Sequence, residues 1–150
     1  MVERGGLGKI PVAPAEEFDE FIGLVVDVKR ELQPDYPDKE SGVEQYHLLL
    51  KPDKIKVKGK TGCLHEWVRI TKKEQEDGII REGSSIYRYI QEIQSVLPET
   101  KDAETPDDVF KILIAKHFLF KRKVLGSSFR GHPPRRYWVP IKLLGGDENE

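Results

Sequence analysis

The chain has 150 residues, 37% hydrophobic and 34% charged, with a formal net charge of -1. That length accommodates one domain with a real core and excludes a second of similar size. The single cysteine, Cys63, excludes an internal disulfide framework. Lys111, Lys116 and His117 interrupt the most apolar stretch well short of a bilayer span, and the first residues carry no apolar signal core, so a soluble cytoplasmic protein is expected.

Residues 1–17, rich in Gly, Pro and Ala, predict a flexible arm. FIGLVVDVKREL (21–32) reads as a first strand. Alternation puts Ile22, Leu24, Val26 and Val28 on one face and Phe21, Val25, Asp27 and Lys29 on the other, and Gly23 suits a bulge or bend. A turn-rich loop (33–42) leads to a second strand, VEQYHLLLK (43–51). KGKTG (58–62) ends like a phosphate-binding loop, but Lys54 stands where that loop needs its first glycine and no helix pattern follows. CLHEWVRIT (63–71) is a third strand, with Leu64, Val68 and Ile70 facing inward, Glu66 among them, and His65, Trp67 and Arg69 facing outward.

The period then changes from strand to helix. From Ser84 or Ser85, either an N-cap, Ile86, Ile90, Ile93 and Leu97 recur at helical spacing until Pro98. A shorter helix begins with Thr105 as cap, Pro106 in the first turn, and Asp107 and Asp108 near the positive end of the dipole. HFLFKRKVL (117–125) returns to strand, a long loop follows, and RYWVPIKLL (136–144) closes the series. Pro140 lacks an amide donor, so this last strand must lie at an edge or carry a bulge. From Arg136, alternation directs Trp138 and Lys142 outward and Tyr137, Val139, Ile141 and Leu143 inward.

The order β-β-β-α-α-β-β predicts a β-rich α+β fold over 18–144. The expected form is a five-stranded, OB-like Greek-key barrel with one or two helices between strands three and four, followed by an acidic tail at 145–150. An open α+β sheet is the alternative. FIGLVVDV near the start, the helix after strand three and the closing RRYWVPIKL together resemble, in order of elements, small phage-type and archaeal OB-fold single-stranded-DNA-binding proteins. The resemblance implies a non-catalytic protein that binds single-stranded DNA on the face of strands two and three. Lys/Glu-rich usage with one asparagine, Asn149, is similar to that of thermophile proteins.

Charge distribution points the same way. Residues 109–146 carry nine Lys and Arg and no carboxylate, a candidate anion-binding surface. Solvated pairing of those cations with acids elsewhere in the chain is the plain alternative. On the nucleic-acid reading Trp67, Phe129 and Trp138 stack on bases, beside His65, at about 1 to 3 kcal/mol per base. Arg69, Lys121, Arg122, Lys123, Arg130, Arg135, Arg136 and Lys142 neutralise phosphates, and about six such contacts give a salt slope near -4. The loop and the outer side of strand three are expected to converge on one groove. RNA is a possible partner, since nothing identifies a reader of the 2′-hydroxyl.

A protein-interaction or assembly subunit, such as a viral structural or accessory protein, is the rival. It would dock through the Pro-rich GHPPRRYW on a protein partner or a second copy. Catalysis has the least support. Asp27, Asp35, Asp38, Glu40 and Glu66 assemble no metal-carboxylate set, and Cys63 with His47, His65, His117 and His132 shows no paired ligand spacing. No metal and no cofactor are expected.

Overall fold

The computed structural model describes residues 18–33, 43–55, 62–125 and 135–145. The expected arm at 1–17, Phe129, Arg130 and His132, and residues 146–150 of the expected acidic tail lie outside these. Five strands, β1 (Glu20–Leu32), β2 (Glu44–Pro52), β3 (Leu64–Arg69), β4 (His117–Val124) and β5 (Arg136–Leu143), form one antiparallel sheet in the order β3-β2-β1-β4-β5. Between β3 and β4 come α1 (Lys72–Asp77), α2 (Ser85–Val96), a 3-10 turn over Pro98–Asp102, and α3 (Pro106–Ile112). The chain therefore adopts the expected β-rich α+β class, with α2 and α3 where the sequence places them and α1 in addition.

Local chemistry accounts for these ends. Ser84 and Thr105 cap α2 and α3 by accepting from Tyr87 N–H and Asp108 N–H. α1, which the sequence reading passes over, starts with a capping box: Glu74 N–H donates to Thr71 Oγ1 while Thr71 N–H donates to Glu74 Oε1. It ends at Gly78, whose φ of 69° is the left-handed conformation that glycine adopts without strain.

The core lies between one face of the sheet and the helices. Tyr46 of β2 stacks on Phe110 of α3 with centroids 4.2 Å apart, and Tyr89 of α2 meets Tyr137 of β5 edge-on at 6.3 Å. Phe21, Phe118, Phe120, Leu48, Val68 and Ile93 fill the space between them.

β1 is the hub, because it pairs β2 along one edge and β4 along the other. Its register against β2 slips between Val25 and Asp27, leaving Val26 as the extra residue of a bulge. Before the bulge Phe21 and Val25 face the core; after it Val28 does, so the phase of alternation reverses. The bulge thus sits three residues beyond Gly23. Gly23 answers a different demand, since a Cβ there would lie 2.6 Å from the Lys51 carbonyl oxygen and 2.8 Å from the Phe21 ring.

The sheet is open, so the five strands do not form a closed barrel ladder. β3 and β5 are its two ends, and among the described residues no backbone ladder joins them. One buried side chain spans the gap instead. Glu66 of β3 accepts from Trp138 N–H of β5 at 2.7 Å, from Arg135 Nη2 at 2.5 Å and from Trp67 N–H at 3.1 Å. The sheet is therefore curled until its edges stand a glutamate's length apart. β5 meets both expectations for a Pro-bearing strand, being an edge and carrying a register slip beside Pro140.

Two outcomes test this account. Gly23→Ala should cost about 1 to 3 kcal/mol in urea unfolding, because the obstructing atom is backbone and cannot rotate away. Burial pushes the Glu66 carboxyl up from 4.5 to about 7, against the opposing pull of Arg135 and the two amide donors. The folded state therefore holds a proton that the unfolded chain releases, so this contribution is full below pH 4.5 and is lost as pH rises through about 7. Glu66→Gln, which still offers an acceptor to Trp138 N–H, should flatten that fall of about 3 kcal/mol. Glu66→Leu should destabilise at every pH by stranding buried donors.

Candidate nucleic-acid interface

The outer face of β2 and β3 carries the candidate residues that the sequence places on strand three. β3 alternates as expected: His65 and Arg69 are exposed and Trp67 is half-buried, opposite buried Leu64, Glu66 and Val68. In the β2 register His47 lies opposite Trp67 and Gln45 opposite Arg69, while His65 is one diagonal step from His47. Three rings consequently gather on one face. Centroids are 5.0 Å apart for His47 and His65, 5.1 Å for His47 and Trp67, and 5.5 Å for His65 and Trp67, with planes inclined by 29°, 22° and 11°. Nearly parallel rings beside a guanidinium make a surface on which unpaired bases can stack.

A polar chain runs beneath the rings. His47 Nε2 lies 2.7 Å from His65 Nδ1, and His47 Nδ1 lies 3.1 Å from Glu31 Oε1 of β1. Gln45 Nε2 donates to the other Glu31 oxygen at 2.9 Å. Burial alone would raise the Glu31 carboxyl, but the hydrogen bonds from Gln45 and His47 and the charges of His47 and Lys29 outweigh it and hold it below its ordinary value. Burial and the neighbouring His47 lower the His65 imidazole. Glu31 reaches this face only because the Val26 bulge has reversed the phase of β1. Sequence reasoning missed Glu31 for that reason, and treated His47 only as an unpaired metal ligand.

The basic residues are arranged differently from expectation. Four pair with acids from the first part of the chain: Lys121 with Glu20 at 3.8 Å, Lys123 with Glu92 at 2.9 Å, Arg135 with Glu66 at 2.5 Å and Arg136 with Asp19 at 2.9 Å. Arg122 lies over the Trp138 ring at 4.6 Å, and Arg135 over Tyr137 at 4.3 Å. Lys142 is exposed on β5. Phe129 and Arg130 lie outside the described residues.

Trp138 requires a correction. Expected on the outer face, it is 6% exposed and packs against Phe18 at 5.5 Å and Phe21 at 4.9 Å. The reason is that the middle of β5, Tyr137 to Pro140, is buried on both sides, with α2 against the strand and Phe18 and Phe21 against Trp138, so alternation there has no solvent face. Arg135 also meets β3 through Glu66, on the side opposite Trp67. Among the described residues, Arg135 and Trp138 therefore meet β3 from the face opposite Trp67.

Among the described residues no group of three or more His, Cys, Asp or Glu converges as a metal site, and Cys63 is buried. On the helical side a groove of about 660 Å³ opens beside Ile79, Ile90, Gln91 and Glu104. Its floor includes Tyr46, whose hydroxyl donates to Asp107 and whose pKa is raised by burial and by that bond. Among the described residues no helix is long and apolar enough to cross a membrane. No protein-family model matches the chain, and no curated protein matches it.

The two tryptophans should respond oppositely to truncation. Trp138→Ala should lower stability in urea unfolding by about 3 to 5 kcal/mol. Trp67→Ala should cost about 1 kcal/mol or less, leaving a folded protein whose surface has changed.

Proposed function

We propose that this chain is a non-catalytic protein that binds single-stranded nucleic acid, DNA in the first instance, on the outer face of β2 and β3. The observation that carries the reading is the cluster of His47, His65 and Trp67, three near-parallel rings held by strand register and set beside Arg69. Stacking on π-faces is tolerant of sequence, so little base preference is expected. The fold supports the reading at a finer level. The strand order β3-β2-β1-β4-β5 is consistent with a Greek-key arrangement and with an OB barrel parted between β3 and β5. In such a barrel the face of strands two and three is the binding platform.

Trp138 leaves the set of stacking residues, and Trp67 becomes its centre. The paired cations still add positive potential, but each must release its own acid before it meets a phosphate. That pairing favours a second reading, in which the basic block is structural and the chain is an assembly subunit docking on protein.

Titration with oligo-dT while tryptophan emission is recorded separates the two. Trp138→Phe should keep the quenching and Trp67→Phe should lose it. Trp67→Ala should weaken binding by about 1 to 3 kcal/mol. The salt slope should be negative but shallower than about -4, because part of the positive charge is internally neutralised. An unquenched, salt-insensitive protein whose elution volume ignores oligo-dT would favour the assembly reading.

A further inference from the structure

We infer that Glu31 and His47 are positioning residues that hold His65 as a phosphate ligand engaged by uptake of a single proton, making strand binding acid-strengthened. This rests on the reading of the β2–β3 face as a nucleic-acid platform. The argument begins with donors and acceptors. Glu31 is ionised, and its carboxylate only accepts hydrogen bonds, so the nitrogen 3.1 Å away, His47 Nδ1, must carry the hydrogen. In neutral His47 the other nitrogen, Nε2, is then an acceptor. His65 Nδ1, 2.7 Å from it, must in turn be the donor. The relay thus fixes both tautomers and leaves His65 Nε2, on an exposed ring, with a lone pair.

A neutral His65 of this tautomer presents no N–H from Nε2 to a phosphate. One proton taken from solvent at Nε2 converts the ring into a cationic donor without disturbing the two bonds that orient it.

Surrounding charges set the balance. From β1, Glu31 favours the imidazolium, and Lys29 lies opposite His47. From β2, His47 opposes it, and Lys51 is further along the strand. From β3, Arg69 adds positive charge two positions beyond Trp67. Burial, and His47 when it is charged, hold the ring below its ordinary 6.5, so the free protein is neutral there at pH 7.5. A bound phosphate favours the cation, so affinity rises as pH falls.

The test uses the full chain and oligo-dT bearing a pH-insensitive dye, since thymine does not titrate in this range. Anisotropy is measured at pH 5.5 and 7.5 at constant ionic strength. Wild type should bind about 3- to 10-fold tighter in acid, the scale of one added charge-assisted contact. His65→Gln should abolish that gain, leaving the same affinity at both pH values, and Glu31→Gln should move the gain to lower pH. A gain that survives His65→Gln, or its absence in a wild type that binds, overturns the inference. Ring-nitrogen NMR of the unliganded protein separates it from the parent reading. His65 protonated at Nδ1 at pH 7.5, with Nε2 taking up the proton in acid, supports it. The opposite tautomer overturns it even if the protein binds DNA.

Discussion

The fold depends on a carboxylate held where no strand continues. Glu66 occupies an inward position of β3, and in a closed sheet its neighbour across the gap would be another backbone. Here the side chain replaces that backbone, accepting the Trp138 amide and the Arg135 guanidinium. The same carboxylate accepts the Trp67 amide, so the interior contact fixes the residue that carries the outer face. An unpaired ion in that position would be prohibitively costly, and the three donors are what make it tolerable.

Much of the architecture is legible in residues with one plausible physical role. Ser84 followed by isoleucines at helical spacing, Thr105 with Pro106, and Pro140 in an edge strand each describe a local decision that no distant contact overrides. Thr71 and Glu74 spell a capping box just as plainly, yet the β-branched run before them drew the third strand through Thr71 and hid α1. Local signals of two kinds overlapped there, and the cap prevailed because Glu74 also accepts from the Arg81 amide.

The site was legible in one half only. His65, Trp67 and Arg69 follow from alternation because β3 has one covered face and one open face. Tyr137 and Trp138 do not, because the middle of β5 is covered on both; the unbroken apolar run from Tyr137 to Ile141 carries that information better than the parity of Arg136 does. The pairings of Arg135 and Arg136 with Glu66 and Asp19 join residues about 70 and 117 positions apart, distances over which sequence pattern is silent. Charge counting found the cations and could not find their partners.

The extra residue at Val26 gives β1 two sidedness rules in one continuous strand. Odd-numbered side chains line the interior near Phe21 and the exterior near Glu31, so a single thread serves as wall to the core at one end and as footing for the ring cluster at the other. Adding one residue between Val26 and Val28 would turn Glu31 inward and Val28 outward. Insertions of two would restore the pattern, so that segment of the chain admits change only in even steps.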